Sequence, residues 1–309
     1  MTRSLLRLGT RGSALALAQS GGIAATLISE YGQQVELVSV QTAGDLSAQA
    51  VAQIGSTGVF VTAVRDALQA GDVDLAVHSY KDLPTAPAEG LVVAAVPRRE
   101  DARDVLVARD GLTLAGLPTG ARVGTGSPRR SAQLLALGLG LEIVPVRGNV
   151  ETRIAKVRDG ELDAVVLARA GLARLDRLDD ITEVIDPLQL LPAPGQGALA
   201  VECRADDRDL VRLLGALDHP DSHAAVLAER ALLEALEGGC TAPIGGLADV
   251  GEGDDGSEIY LRGLVAALDG TDTVRLSATG PTSAPQEVGR RLAAELLALG
   301  VAELMGDAR

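Results

Sequence analysis

Three stretches of this 309-residue chain put charged and hydroxyl side chains where the backbone turns sharply: LGTRGSALALAQ at 8–19, RVGTGSPRRSAQ at 122–133 and VPVRGNVETR at 144–153. In each, an aliphatic strand pattern gives way to a helical one across a glycine and a residue suited to capping. Ser13, Ser127 and Asn149 are the predicted N-caps, and Pro128 falls at a first helical position, where its missing N–H costs nothing. Such a helix start leaves free N–H groups and the positive end of the helix dipole at the carboxyl edge of a sheet, where anions collect. Arg11, Arg129, Arg130, Arg147 and Arg153 lie within a few residues of these junctions, although the formal net charge of the chain is −14. A planar guanidinium binds carboxylate or phosphate through two hydrogen bonds, so the set reads as ligands for a polyanion. Any one of them alone reads rather as a surface salt-bridge residue, and it is the set that tips toward a ligand. No junction completes a P-loop or a GxGxxG fingerprint.

Two further sites carry chemistry. In VHSYKDLPTAP (77–87), Lys81 is one of two lysines in the chain and stands beside Asp82. A carboxylate at a strand end can hold a developing positive charge or exchange a proton with a leaving amine, while Asp before Leu-Pro is also ordinary turn chemistry. In EGGCTAPIGG (237–246), Cys240 is one of two cysteines and follows a helix that runs out at Gly238 and Gly239. The negative pole of that helix raises a thiol pKa, so Cys240 is no activated nucleophile. It reads either as a small buried hydrophobe or as a sulfur that is attached once and stays attached. Cys203, inside the strand pattern ALAVECR, is assigned to packing.

The elements that must position these groups follow from periodicity. LLRLG, VELVSV, VDLAVHS, LVVAAV, DVLVA, ARVGTG, LEIVPV, LDAVVLA and ALAVEC read as strands. SALALAQSGGIAATLI, GVFVTAVRDALQ, PRRSAQLLAL and VETRIAKVR read as helices between them. Strand–helix–strand alternation predicts parallel, doubly wound α/β sheets. PRREDARD (97–104) and LLPAPGQGA (190–198) interrupt the pattern and read as paired crossings between domains. From about residue 218 the order changes to a helix near Asp221, three strand-like stretches and a last helix over roughly 285–299, a small α+β unit. Its acidic insert GEGDDGSE is read as a solvated hairpin loop.

Composition limits the function classes. Hydrophobic residues make up 47% and aromatics 1%, so the cores are aliphatic. The acidic balance argues against nucleic-acid or anionic-membrane partners, and no apolar run reaches the ~18 residues that span a bilayer. The N-terminus lacks a signal-peptide pattern, which predicts a cytoplasmic protein. Cys203, Cys240, His78, His219 and His223 show no metal-ligand spacing, so no metal is expected.

Taken together, LGTRGSALALAQ, TAGD, DLAVHSYKDLP, RED, VGTGSPRRSAQL, VRGNVETRI, LARAGLARL, PAPGQGALAVECR and LEGGCTAPIG, in order from residue 8 to about 245, resemble the hydroxymethylbilane synthases, also called porphobilinogen deaminases. The resemblance implies two doubly wound domains like the lobes of type II periplasmic binding proteins, plus a C-terminal domain with a three-stranded antiparallel sheet. On this chain they would be residues 1–98 with about 198–216, about 103–192, and about 219–309. It implies a monomeric transferase that links four porphobilinogens into hydroxymethylbilane, releasing ammonia, on a dipyrromethane cofactor tethered to Cys240 by a thioether. Asp82 would be the catalytic group. Arg11, Arg103, Arg129, Arg130, Arg147, Arg153 and Arg174, with Ser13, Thr125 and Ser127, would hold pyrrole carboxylates, and Gln19, Lys81 and Gln196 would position substrate or cofactor.

The chain departs from the family pattern in places. Thr57 and Thr62 stand where lysines are usual, with Phe60 kept and Arg65 available to restore charge; Gly126 and Pro128 replace a serine and a leucine. Two rivals keep to the residues: a non-catalytic two-lobed module for a small polycarboxylate, and a thiol hydrolase pairing Cys240 with His219 or His223. The second places its partners at opposite ends of one helix, over ~20 Å apart at ~1.5 Å per residue.

Overall fold

The computed structural model describes residues 5–40, 56–236, 242–253 and 256–305, with 56–60 described by their backbone alone. The chain divides into two compact units, residues 1–99 with 198–223 and residues 100–197 with 224–309.

In the first unit the aliphatic runs become strands β1 (Leu6–Thr10), β2 (Val35–Ser39), β3 (Leu75–Ser79), β4 (Leu91–Ala95) and β10 (Leu199–Arg204), ordered β2-β1-β3-β10-β4. Helix α1 (Ala14–Tyr31) starts where the Ser13 hydroxyl accepts the Ala16 N–H and stops at Gly32, whose φ of 63° and N–H bond to the Leu27 carbonyl close it in a left-handed cap. Helix α2 (Ser56–Ala70) lays Val64 and Leu68 against Val73 and Ala76. On the other core, Leu6, Leu8, Leu27, Leu75, Val201 and Cys203 pack with Leu210 and Leu214 of α6 (Arg208–Gly215). Burial at this level stabilises by roughly 2 kcal/mol per large aliphatic side chain.

In the second unit β5 (Asp104–Ala108), β6 (Arg122–Thr125), β7 (Glu142–Pro145), β8 (Ala164–Ala168) and the two-residue β9 (Glu183–Val184) form a sheet ordered β7-β6-β8-β5-β9. Helices α3 (Pro128–Ala136), α4 (Val150–Arg158) and α5 (Arg169–Arg174) follow β6, β7 and β8. The Ser127 and Asn149 side chains accept the N–H groups of Arg130 and Thr152, as capping predicts. The same unit holds most of α7 (Pro220–Ala235), the sheet β11 (Ile244–Gly253), β12 (Gly256–Ala266) and β13 (Thr273–Pro281), then α8 (Pro285–Ala298) and α9 (Val301–Leu304). Ala228 and Leu232 of α7 and Leu292 and Leu296 of α8 cover Ile259, Leu261 and Val265.

Two expectations change. The five-stranded sheets are mixed rather than parallel: β10 runs antiparallel between β3 and β4, and β5 antiparallel between β8 and β9. A parallel neighbour needs a crossover that carries the chain back along the same sheet, usually a helix, whereas β10 re-enters its sheet after the chain has passed through the second unit. The acidic insert is also mostly ladder: Gly251 pairs with Glu258, Glu252 with Ser257 and Gly253 with Gly256.

Candidate functional site

In the first unit, β1 and β3 end side by side and deliver their following residues to one place. After β3 a single 3-10 turn, Tyr80–Asp82, is held by the Tyr80 N–H bond to the Ala198 carbonyl, with Tyr80 buried. The turn leaves Lys81 and Asp82 half-buried. Asp82 lines a cavity of about 70 Å³ together with Thr10, Arg11, Gln19, His78 and Ser79. Gln19 Nε2 donates to Ser79 Oγ at 2.9 Å, and Ser20 Oγ donates to Thr10 Oγ1 at 2.9 Å, which ties α1 to both strand ends. Ser13 spends an acceptor on its cap, and its hydroxyl proton remains a donor. Asp82, Gln19 and Arg11 thus line one cavity. His78 joins them unforeseen.

In the second unit the arginines separate into two kinds. Arg129 and Arg130, on the first turn of α3, are 3% and 5% exposed and converge on Asp104, which is fully buried at the start of β5. Arg129 Nη2 lies 2.9 Å from Asp104 Oδ2 and its Nη1 donates to the Leu191 carbonyl. Arg130 Nε and Nη2 donate to Asp104 Oδ1 at 3.1 and 2.7 Å, and its Nη1 to the Val166 carbonyl. Gln196 Nε2 reaches the same carboxylate at 2.8 Å and the Ala102 carbonyl at 2.7 Å. Burial pushes the Asp104 carboxyl up, yet the charges of Arg129 and Arg130 pull it down to about 2. Arg129 and Arg130 were expected to hold the carboxylates of a ligand and Gln196 to position substrate or cofactor; all three bond the chain's own Asp104. Arg103 likewise turns to Asp101, with Nη2 at 2.6 Å.

The others differ. Arg153 Nε donates to the Gly148 carbonyl and Arg174 Nη2 to the Gly197 carbonyl. Among the described residues neither makes a carboxylate ion pair. Burial lowers the Arg174 pKa to about 10, against a smaller opposing pull from Glu100, and burial followed by repulsion from Arg130 lowers that of Arg153. Arg147 is exposed beside them in sequence. Thr125 is buried and its Oγ1 accepts the Ser127 N–H at 3.2 Å, which shapes the turn before α3. The backbone passes close to Val146 at Gly126, where a Cβ would stand 2.6 Å from the Val146 carbonyl oxygen.

Cys240 lies outside the described residues, as do TAGD and the side chains of Thr57 and Phe60. Arg65 does not restore charge at the loop, because Glu202 takes its guanidinium at 2.8 Å. His219 Nδ1 accepts the Ser222 N–H at 3.2 Å, and His223 Nδ1 lies 2.8 Å from Asp218 Oδ1, so both serve the start of α7. Cys203 is fully buried in the first core, and burial raises its thiol to about 11. The sequence reading missed Asp104, Glu202 with His78, and Glu229, whose buried carboxylate accepts the N–H groups of Gly195 and Ala248. A signal existed: each is a charged or titratable residue inside or beside an apolar run, which burial makes costly without a partner.

Comparison with known proteins gives a uniform result. The family model described as "Porphobilinogen deaminase, dipyromethane cofactor binding domain" matches residues 6–212, and "Porphobilinogen deaminase, C-terminal domain" matches residues 223–298. The chain is 58% identical to the porphobilinogen deaminase of Nocardia farcinica, over 98% of this chain and 89% of that one. It is also 58% identical to porphobilinogen deaminase 1 of Streptomyces coelicolor, over 99% of each, and 57% identical to the porphobilinogen deaminase of Mycobacterium tuberculosis, over 99% and 100%. Among solved structures, a periplasmic substrate-binding protein of an ABC transporter from Coxiella burnetii aligns with 71% of this chain and 94% of its own at a TM-score of 0.44 and 15% identity, a likeness too low to carry a conclusion.

Proposed function

This chain belongs to the porphobilinogen deaminase family, and from that premise we propose how its own residues divide the work of joining four porphobilinogens into hydroxymethylbilane. The family's dipyrromethane cofactor supplies a covalent primer to which successive pyrroles are added. Acetate and propionate groups on every pyrrole call for fixed positive charge. The observation that carries the assignment is the pair Arg153 and Arg174, half-buried and bonded to carbonyls rather than to acids. Such groups fit a polycarboxylate bound from outside.

Arg11, Arg147, Arg153 and Arg174 are the proposed carboxylate ligands, aided by the hydroxyl protons of Ser13 and Ser127. Arg129, Arg130 and Gln196, joined through Asp104, hold the start of α3 and the 193–197 loop in place, and the cluster keeps a net positive charge. Thr125 shapes the turn and Arg103 anchors the chain near residue 101. Asp82 is the proposed catalytic group. Its carboxylate, in a polar cavity beside Gln19 and Ser79, accepts the pyrrole and ammonium protons and offsets the positive charge that develops as ammonia leaves. Lys81 and Gln19 position that carboxylate and the substrate. Cys240 is the proposed point of thioether attachment.

We divide the chain into domains at residues 1–98 with 198–216, 103–192 and 219–309. The separate aliphatic core of α7, α8 and the β11–β13 sheet supports the third, although contacts group it with 100–197. Monomeric state and cytoplasmic location rest on the family reading, and the acidic charge supports the absence of nucleic-acid partners.

Intact-protein mass spectrometry tests the assignment. The wild type should exceed the bare chain by two pyrrole units and Cys240→Ser should lose that increment. Asp82→Ala should keep it and lose nearly all turnover. An unmodified, fully active wild type refutes the tether, and normal turnover in Asp82→Ala refutes the role of the carboxylate.

A further inference from the structure

The cavity beside Asp82 contains a group that the assignments above leave without a task. His78, the fourth residue of β3, is 8% exposed and lines the same cavity as Asp82, Arg11, Gln19 and Ser79. Its Nε2 lies 3.2 Å from Glu202 Oε2 on the neighbouring strand β10 and is buried without a well-directed hydrogen bond. Glu202 is itself gripped from α2: Arg65 Nε donates to both carboxylate oxygens at 3.1 Å, and Arg65 Nη2 donates to Oε1 at 2.8 Å. Burial would raise the Glu202 carboxyl, but the contacts with His78 and Arg65 hold it below its usual range. The charged groups that contact the imidazole, grip its partner or share its cavity are therefore Glu202 from β10, Arg65 from α2, Arg11 from the turn after β1 and Asp82 from the turn after β3.

A carboxylate fixed by an arginine and set against a histidine is the arrangement that orients an imidazole and stabilises it when it takes up a proton. A buried ring nitrogen lacking a good partner calls for an explanation, such as a proton in transit or a small guest. The cavity volume of about 70 Å³ suits the second. It has room for molecules of the size of water or ammonia.

We infer that His78 is a proton-carrying residue of the deamination site, oriented by Glu202 and Arg65, and that the cavity it shares with Asp82 receives the departing ammonia. The inference rests on the function proposed above. Its balance is as follows. The C–N bond of the substrate ammonium breaks with its electron pair going to nitrogen, which gives ammonia and a cationic methylene pyrrole facing Asp82. When the new C–C bond has formed, the free α-carbon must shed its proton. Neutral His78 takes that proton, Glu202 stabilises the imidazolium, and ammonia carries the proton out as ammonium. The net change is one ammonium released for each C–C bond made. Glu202 and Arg65 are positioning residues here, since they act through His78.

The test uses the holoenzyme with porphobilinogen deuterated at its free α-carbon. In His78→Gln, kcat should fall roughly 100-fold with KM within about 3-fold, as loss of a general base does. The deuterated substrate should then turn over more slowly than the protiated one, because proton removal has become the slow step. A merely structural role slows both substrates equally or lowers the melting temperature alone, and either outcome, like wild-type kcat, overturns the inference. Should His78→Gln fail to fold, Glu202→Gln decides: about a 10-fold fall with an isotope effect of the same sign supports it, and unchanged kinetics overturn it. Independently of turnover, the imidazole nitrogens of His78 in nitrogen-15-labelled wild type should shift on adding substrate while those of His219 and His223 do not; an unmoved His78 overturns it. Loss of the two-pyrrole mass from wild type instead strikes the function proposed above, so the two failures are distinguishable.

Discussion

Asp104→Asn removes one negative charge from between two guanidiniums that have almost no access to water. Arg129 and Arg130 side chains are 4% and 7% exposed, and Asp104 is their only carboxylate partner among the described residues. The size of the effect can be approached from two directions. The Asp104 carboxyl is lowered from 3.8 to about 2, a difference worth roughly 2 to 3 kcal/mol of folding free energy at neutral pH. Breaking a buried pair by removing one partner costs about 3 to 5 kcal/mol, because the other charge is left uncompensated. The second figure is the better guide, since the asparagine amide also turns a donor toward a guanidinium. Urea unfolding of Asp104→Asn should thus show a loss of about 3 to 5 kcal/mol with the m-value unchanged. The double variant Asp104→Asn with Arg129→Met should recover part of it by removing one stranded charge. A loss below about 1 kcal/mol refutes the reasoning, for it would mean that water or an anion already compensates these arginines.

Acid should weaken the protein from two places. The Asp104 and Glu202 carboxyls sit below their unfolded values, so each contributes stability that is complete above its unfolded pKa and is lost as pH falls through its lowered folded value, about 2 for Asp104; a melting temperature that stayed flat on acidification would count against both ion clusters. Gly197 has a φ of 86°, and a Cβ there would lie 2.4 Å from the Glu100 carbonyl oxygen, so Gly197→Ala should cost about 2 kcal/mol or more by denaturant titration. Arg174→Met should change the stability of cofactor-free protein by under about 1 kcal/mol, because burial already penalises its charge. It should nevertheless reduce cofactor loading by intact mass, and full loading would remove Arg174 from the carboxylate ligands. Asn149→Ala should lose about 1 kcal/mol through the cap that holds the Thr152 N–H.

Local physics made much of this molecule legible from its sequence. Period-2 and period-3.6 patterns placed the main strands and helices, because an aliphatic residue on the wrong face forfeits its burial. Ser13, Ser127 and Asn149 were readable as caps because each answers backbone donors within three residues of itself. Cys203 was readable as core because its neighbours alternate in a strand.

Strand direction and partner choice were settled only by the tertiary structure. Whether β10 runs with or against β3 depends on where the chain re-enters the sheet, which no local pattern records. The same holds for charge. The sequence showed that arginines are plentiful near the helix starts, but Coulomb attraction acts through space, so only the fold could show that Arg129 and Arg130 belong to Asp104, 26 residues away in sequence for Arg130, while Arg153 and Arg174 bond backbone carbonyls. His78 and Glu202 stand 124 positions apart and meet because β10 lies beside β3. A sequence dictates which groups exist and which way each element faces; burial by distant chain decides which charges are already compensated and which remain to bind.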